Sequence, residues 1–118
     1  MIHSIPGEEV LEKSENAVSL KVKIVAESDY FDGHFPQFKL LPAVAQIDLV
    51  VHYAQKYFGL PVSTANIKRF KFSDKIVPDA VVIFKIAFDS EKNRVSFELL
   101  DAADERVYST GTYTVRSE

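Results

Sequence analysis

Pro42-Ala43-Val44-Ala45-Gln46-Ile47-Asp48-Leu49-Val50-Val51-His52-Tyr53-Ala54-Gln55-Lys56-Tyr57-Phe58 is the stretch that decides the fold. Along it Val44, Ile47, Val51, Ala54 and Phe58 recur at helical spacing, Pro42 suits the first turn of a helix, and Gly59 suits its C-terminal cap. The spacing predicts one helix of about four or five turns. Between Pro42 and Val51 the only polar side chains are Gln46 and Asp48, so the first half is apolar nearly all round. A helix of that kind is buried on most of its sides rather than laid on a surface.

On the N-terminal side of the helix, Val18, Leu20, Val22 and Ile24 alternate with Ser19, Lys21 and Lys23, the period-2 pattern of a strand with one buried face. Between that strand and the helix, Asp29, Asp32, Gly33 and Pro36 are interleaved with Tyr30, Phe31 and Phe35, which reads as an ordered loop held down by apolar contacts. On the C-terminal side alternation returns in four runs: Phe70 and Phe72; Val82, Phe84, Ile86 and Phe88; Val95, Phe97 and Leu99; then Val107, Ser109, Gly111, Tyr113 and Val115. Turn-forming residues at 73–74, 89–93 and 101–105 separate these runs and predict an antiparallel meander. The expected class is α+β, an antiparallel sheet wrapped around one long helix.

Composition narrows the function. The chain has 118 residues, 47% hydrophobic and 26% charged, which predicts a single domain over residues 1–118. With 17 Asp+Glu against 14 Lys+Arg the balance is mildly acidic, the opposite of the basic stripe of a nucleic-acid-binding module. Absence of cysteine excludes disulfide frameworks, cysteine-ligated zinc, iron–sulfur clusters and a cysteine nucleophile. Glu8, Glu9 and Glu12 stand where a signal peptide needs a basic segment and an apolar run, so this end reads as mature sequence. Charges interrupt every apolar run well short of the ~20 residues needed to cross a bilayer, and the expected compartment is the cytoplasm, with no membrane partner.

Few residues can carry chemistry. Asp48 is a carboxylate in the most apolar part of the helix, a setting in which a carboxylic acid can serve as a proton donor; the alternative is that it points into a solvent gap or caps nearby backbone. His34, in Phe31-Asp32-Gly33-His34-Phe35-Pro36, is bracketed by aromatics and by two residues that constrain the backbone. An imidazole held there suits a general base, although a lone loop histidine is more often simply exposed. His52 lies one turn after Asp48 and offers a rival carboxylate–imidazole pair, but no ligand spacing supports a metal site. With four glycines there is no Gly-x-Ser-x-Gly elbow, phosphate-binding loop or dinucleotide fingerprint. Lys68, Arg69 and Lys71 form a small basic group beside Phe70 and Phe72, either a solvated strand face or a receptor for an acidic partner.

Gly33-His34-Phe35-Pro36, followed by Pro42, Val44, Gln46, Ile47 and Asp48, resembles the active-site stretch of the hotdog-fold 3-hydroxyacyl-acyl-carrier-protein dehydratases. That family carries a Gly-His-Phe-Pro loop, a Pro-Gly-Val helix start and an acidic residue one and a half turns in. The segment Ile76-Val77-Pro78-Asp79 also resembles the family's strand and Pro-Gly-Asp turn. Departures are Gln37-Phe38-Lys39 for Gly-Arg-Pro, Ala43 for the helix-start glycine, and His52 where glutamine is common. Small stand-alone members of aryl-polyene-type pathways look similar as well.

The resemblance implies elimination of water from a 3-hydroxyacyl thioester to give a trans-2-enoyl thioester. His34 would take the proton alpha to the carbonyl, Asp48 would protonate the departing hydroxyl, and backbone N–H groups at Ala43 and Val44 would hold the enolate oxygen. It further implies no cofactor and no metal, a substrate on phosphopantetheine of acyl carrier protein or coenzyme A, and a site between two subunits of a homodimer or larger homo-oligomer. A heterodimer with a second hotdog protein also fits. Phe35, Phe38, Leu40 and Phe70 are candidates for the acyl tunnel, and Lys68, Arg69 and Lys71 for carrier-protein or phosphopantetheine contacts. The same fold would suit an acyl thioesterase, or a non-catalytic subunit that binds acyl chains.

Overall fold

Strand alternation and the apolar helix combine as one sheet with one cover. The computed structural model describes residues 8–24, 43–60, 64–77 and 79–115. Its elements in chain order are β1 (Glu9–Lys13), β2 (Ala17–Lys23), α1 (Ala43–Phe58), β3 (Thr64–Phe72), β4 (Val81–Asp89), β5 (Arg94–Asp101) and β6 (Val107–Val115). The strands form a six-stranded sheet in the order β1-β2-β4-β5-β6-β3, with every neighbouring pair antiparallel.

Two features differ from the sequence expectation. A meander through all four C-terminal strands would place β3 beside β4, but only β4, β5 and β6 follow that path. β2 pairs with β4 along its whole length, from Ala17↔Ala87 to Lys23↔Val81, and so takes the edge of β4 that β3 would need. β3 instead pairs with β6. The second difference is β1, whose five residues are all exposed and therefore show none of the alternation by which a strand is recognised.

The buried face comes from the alternate residues of β2, β4, β5 and β6: Val18, Leu20 and Val22; Val82, Phe84 and Ile86; Val95, Phe97 and Leu99; Ser109, Gly111, Tyr113 and Val115. α1 lies across this face. Gln46 near its start bonds to Ser109 of β6, the Tyr53 ring meets Phe84 of β4 edge-on at 5.4 Å, and Phe58 at its end stacks on Phe88 of the same strand at 6.4 Å. From Ala45 to Val51 every residue is buried or half-buried, and solvent is first met at His52, Gln55 and Lys56. The expected burial of the first half on most sides is what the structure shows.

Both hairpins of the meander use one device. Asp89 accepts hydrogen bonds from the N–H groups of Glu91 and Lys92, and Asn93 closes the turn at φ 49. Asp101 does the same for Ala103 and Asp104, and Glu105 closes at φ 60. An aspartate that captures the amides two and three residues on, followed by a left-handed residue, reverses the chain without glycine.

Gly111 permits a close approach. The Phe97 ring of β5 lies over it and continues to Phe70 of β3, with ring centroids 6.1 Å apart. A Cβ at 111 would sit 2.7 Å from Phe97 Cζ.

Candidate active site

Geometry at the start of α1 carries the candidate chemistry. The helix begins at Ala43, so the N–H groups of Ala43 and Val44 are among the first four of the helix, which have no partner within it. Its first turn contains no acidic residue, leaving the positive end of the helix dipole unopposed by its own side chains. Asp48 follows in the second turn as the first acid of the helix. It is half-buried, less enclosed than a carboxylate set into the apolar core would be. The helix offers a physical reason: Asp48 is two residues, about 200°, round from Gln46, whose side chain points into the sheet. His52, one turn further along, is exposed.

The points at which the chain leaves and rejoins this framework are held by backbone bonds and by the helix start. Ile24, the residue after β2, is fully buried; its N–H donates to the Ala80 carbonyl at 2.8 Å, and its carbonyl accepts from Asp79 N–H at 2.6 Å. Asp79 makes this link at φ 67, in the left-handed region that aspartate tolerates better than most side chains. His34, Phe35, Phe38 and Leu40 lie outside the described residues, as do the side chains of Ala43, Val44 and Lys68. Phe70 is half-buried against Phe97 and the core.

Arg69 and Lys71 are exposed on β3, a sheet edge whose pairing with β6 slips by a residue between Ala65 and Lys68 and again between Lys68 and Lys71. Arg69 takes φ 53 there. These irregularities break the simple alternation read for the basic group, because each inserted residue bends the strand and re-aims the side chains beyond it.

Several polar contacts were not legible beforehand. Ser109 Oγ donates to Gln46 Oε1 at 2.7 Å, and both residues are completely buried. At the other end of the helix, Lys56 and Tyr57 both hydrogen-bond the Glu8 carboxylate, the tyrosine at 2.8 Å. Burial works to raise the Glu8 pKa, but the hydrogen bonds from Lys56 and Tyr57 outweigh it and leave the carboxyl below its ordinary value. The same cluster raises Lys56 through its hydrogen bond to Glu8, and raises Tyr57 through burial and its bond to Glu8. Tyr108 donates to Asp101 at 2.6 Å, which helps hold that carboxyl below its usual range. Burial pushes the Tyr113 phenol up to about 12, so it is neutral at physiological pH and unsuited to proton transfer there.

Comparison with known proteins gives a consistent result. A family model described as ApeI-like, ApeI dehydratase, matches residues 10–112. The 3-hydroxyacyl-acyl-carrier-protein dehydratase FabZ of Streptococcus sanguinis is 25% identical over 113 residues, covering 89% of this chain and 81% of its own. The solved structure of the dehydratase heterocomplex ApeI:P from Xenorhabdus doucetiae superposes with a TM-score of 0.83 at 30% identity, covering 94% of this chain and 98% of that one. An uncharacterised protein from Erwinia carotovora subsp. atroseptica gives a TM-score of 0.76 at 26% identity, covering 98% and 97%.

Proposed function

The chain belongs to the ApeI-like dehydratase family and has the hotdog fold, and from that membership we propose a specific substrate carrier and a specific pair of reacting groups. The enzyme is a hydro-lyase that dehydrates 3-hydroxyacyl thioesters, in biosynthesis of the aryl-polyene or fatty-acid type. The substrate reaches it on an acyl carrier protein, the carrier that the name of the Streptococcus sanguinis relative states for that protein, and is held there on a phosphopantetheine arm. The exposed cations Arg69 and Lys71 on the β3 edge suit an acidic carrier or the phosphate of its arm.

His34 abstracts the proton alpha to the thioester carbonyl. The electron pair moves to the carbonyl oxygen, where the Ala43 and Val44 N–H groups receive the negative charge. As the carbonyl re-forms, the alpha–beta double bond forms, the bond from the beta carbon to oxygen breaks, and Asp48 hands a proton to the departing hydroxyl. Water and an enoyl thioester result. The observation that supports this division of labour is the helix start itself: amides without a partner inside the helix, no acid in the first turn, and one half-exposed carboxylate in the second.

The active form contains more than one subunit. The Xenorhabdus doucetiae relative is described as a heterocomplex, which supports this reading. The protein acts in the cytoplasm; among the described residues no helix is long and apolar enough to cross a membrane.

The test follows enoyl absorbance with a 3-hydroxyacyl thioester and its enoyl counterpart, on carrier protein and on coenzyme A. Interconversion by the wild-type protein is expected, falling about 10²–10⁴-fold in folded His34→Ala and Asp48→Asn. Release of free thiol by the wild type, or full activity in either variant, would overturn the assignment.

A further inference from the structure

Gln46 and Ser109 are buried without any exposure, and they bond to each other across the interface between α1 and β6. A polar pair in an apolar core adds little net stability, because two well-fitted apolar side chains serve nearly as well. What it adds is direction. The neighbouring contacts of the helix, from Ala45, Leu49, Val50, Val51 and Ala54, are apolar and tolerate small rotations; a 2.7 Å hydrogen bond from a serine to an amide oxygen does not.

Its two anchors are well placed for such a task. Ser109 is flanked by β5 on one side and β3 on the other, opposite Leu99 and Phe72, and cannot drift. Gln46 lies in the first turn of α1, the turn that carries the Ala43 and Val44 amides, and two residues before Asp48. A carboxylate about 5 Å from the helix axis moves by roughly 0.9 Å for each 10° of rotation. A misplacement of about 1 Å can cost on the order of 100-fold in rate.

We propose that the Gln46–Ser109 hydrogen bond is a positioning contact for the dehydration, setting the rotation of α1 so that the Asp48 carboxyl meets the substrate. This rests on the role given to Asp48 above. Gln46 and Ser109 touch no reacting atom; they act through the helix.

The experiment compares Gln46→Met, Ser109→Ala and the double variant with wild type, in wild-type and Asp48→Asn backgrounds, measuring kcat, KM and the urea midpoint. Gln46→Met keeps volume and removes the amide, and the double variant removes both partners of this bond. Expected is a 10- to 100-fold fall in kcat with KM within about twofold and a nearly unchanged midpoint for the double variant. In the Asp48→Asn background the same changes should have little further effect, as groups acting through one residue do. A folded double variant with kcat within twofold of wild type would overturn the proposal, and so would equal losses in both backgrounds or unfolding of Ser109→Ala and the double variant alike. Failure of the underlying reading looks different: wild type and Asp48→Asn would then turn over equally.

Discussion

Gly111→Ala tests the packing where β5, β6 and β3 meet on the buried face of the sheet. The new Cβ would meet Phe97 Cζ at 2.7 Å, Phe97 Cε1 at 3.1 Å and Phe70 Cδ2 at 3.3 Å. Comfortable carbon contacts lie near 3.5–4.0 Å, so the tip of the Phe97 ring has to retreat by about 1 Å. There is little room for it, since Phe97 is 4% exposed and Phe70 stands on the same aromatic row. Forcing the ring off its rotamer and shifting its neighbours costs about 1–3 kcal/mol. Replacing glycine within a strand returns about 0.5–1 kcal/mol of that, leaving a net loss of about 1–2 kcal/mol. Urea unfolding should show a lower midpoint with an unchanged slope. Phe97→Leu removes the atoms that clash, so adding Gly111→Ala to it should cost less than adding it to wild type, by about 0.5 kcal/mol or more. Strict additivity in the double-mutant cycle, or a Gly111→Ala protein as stable as wild type, would refute the argument from ring contact.

Two further outcomes follow from local geometry. Glu8 has a lowered carboxyl pKa, so its bonds to Lys56 and Tyr57 contribute stability above the ordinary carboxylate range, near 4.3, and that stability is lost as pH falls through the lower folded value. Glu8→Gln should therefore show a smaller loss of stability on acidification than wild type, by less than about 1 kcal/mol because Lys56 is largely exposed; parallel curves down to acid pH would contradict this. Glu105→Gly removes a side chain from a φ of 60 while keeping its N–H bond to the Asp101 carbonyl, and thermal unfolding should show a gain of up to about 1 kcal/mol, where a loss would count against strain at that turn.

What could be read beforehand divides along physical lines. α1 was legible because its apolar residues repeat with the helical period and Gly59, at φ 69, marks its end. β2, β4, β5 and β6 were legible because one face of each is buried, and the two aspartate-led turns announced themselves by composition. β1 escaped because nothing on it is buried. The place of β3 escaped because pairing is a competition between edges: the chain between α1 and β3 says nothing of whether β2 has already taken β4. The Gln46–Ser109 and Glu8–Lys56 contacts join residues 63 and 48 positions apart, a relation no local pattern encodes. At the candidate site, Asp48 was found by its oddity within an apolar run, and its half-exposed setting emerged only once the sheet was in place. His34 was found through its motif, and the described residues do not include it.

The same reasoning bears on Ala43, which stands where related dehydratases start the helix with glycine. An amide donates through its N–H whatever the side chain, and an N–H in the first turn has no partner within the helix. In the proposed mechanism the alanine therefore keeps the N–H donor that would receive the enolate oxygen.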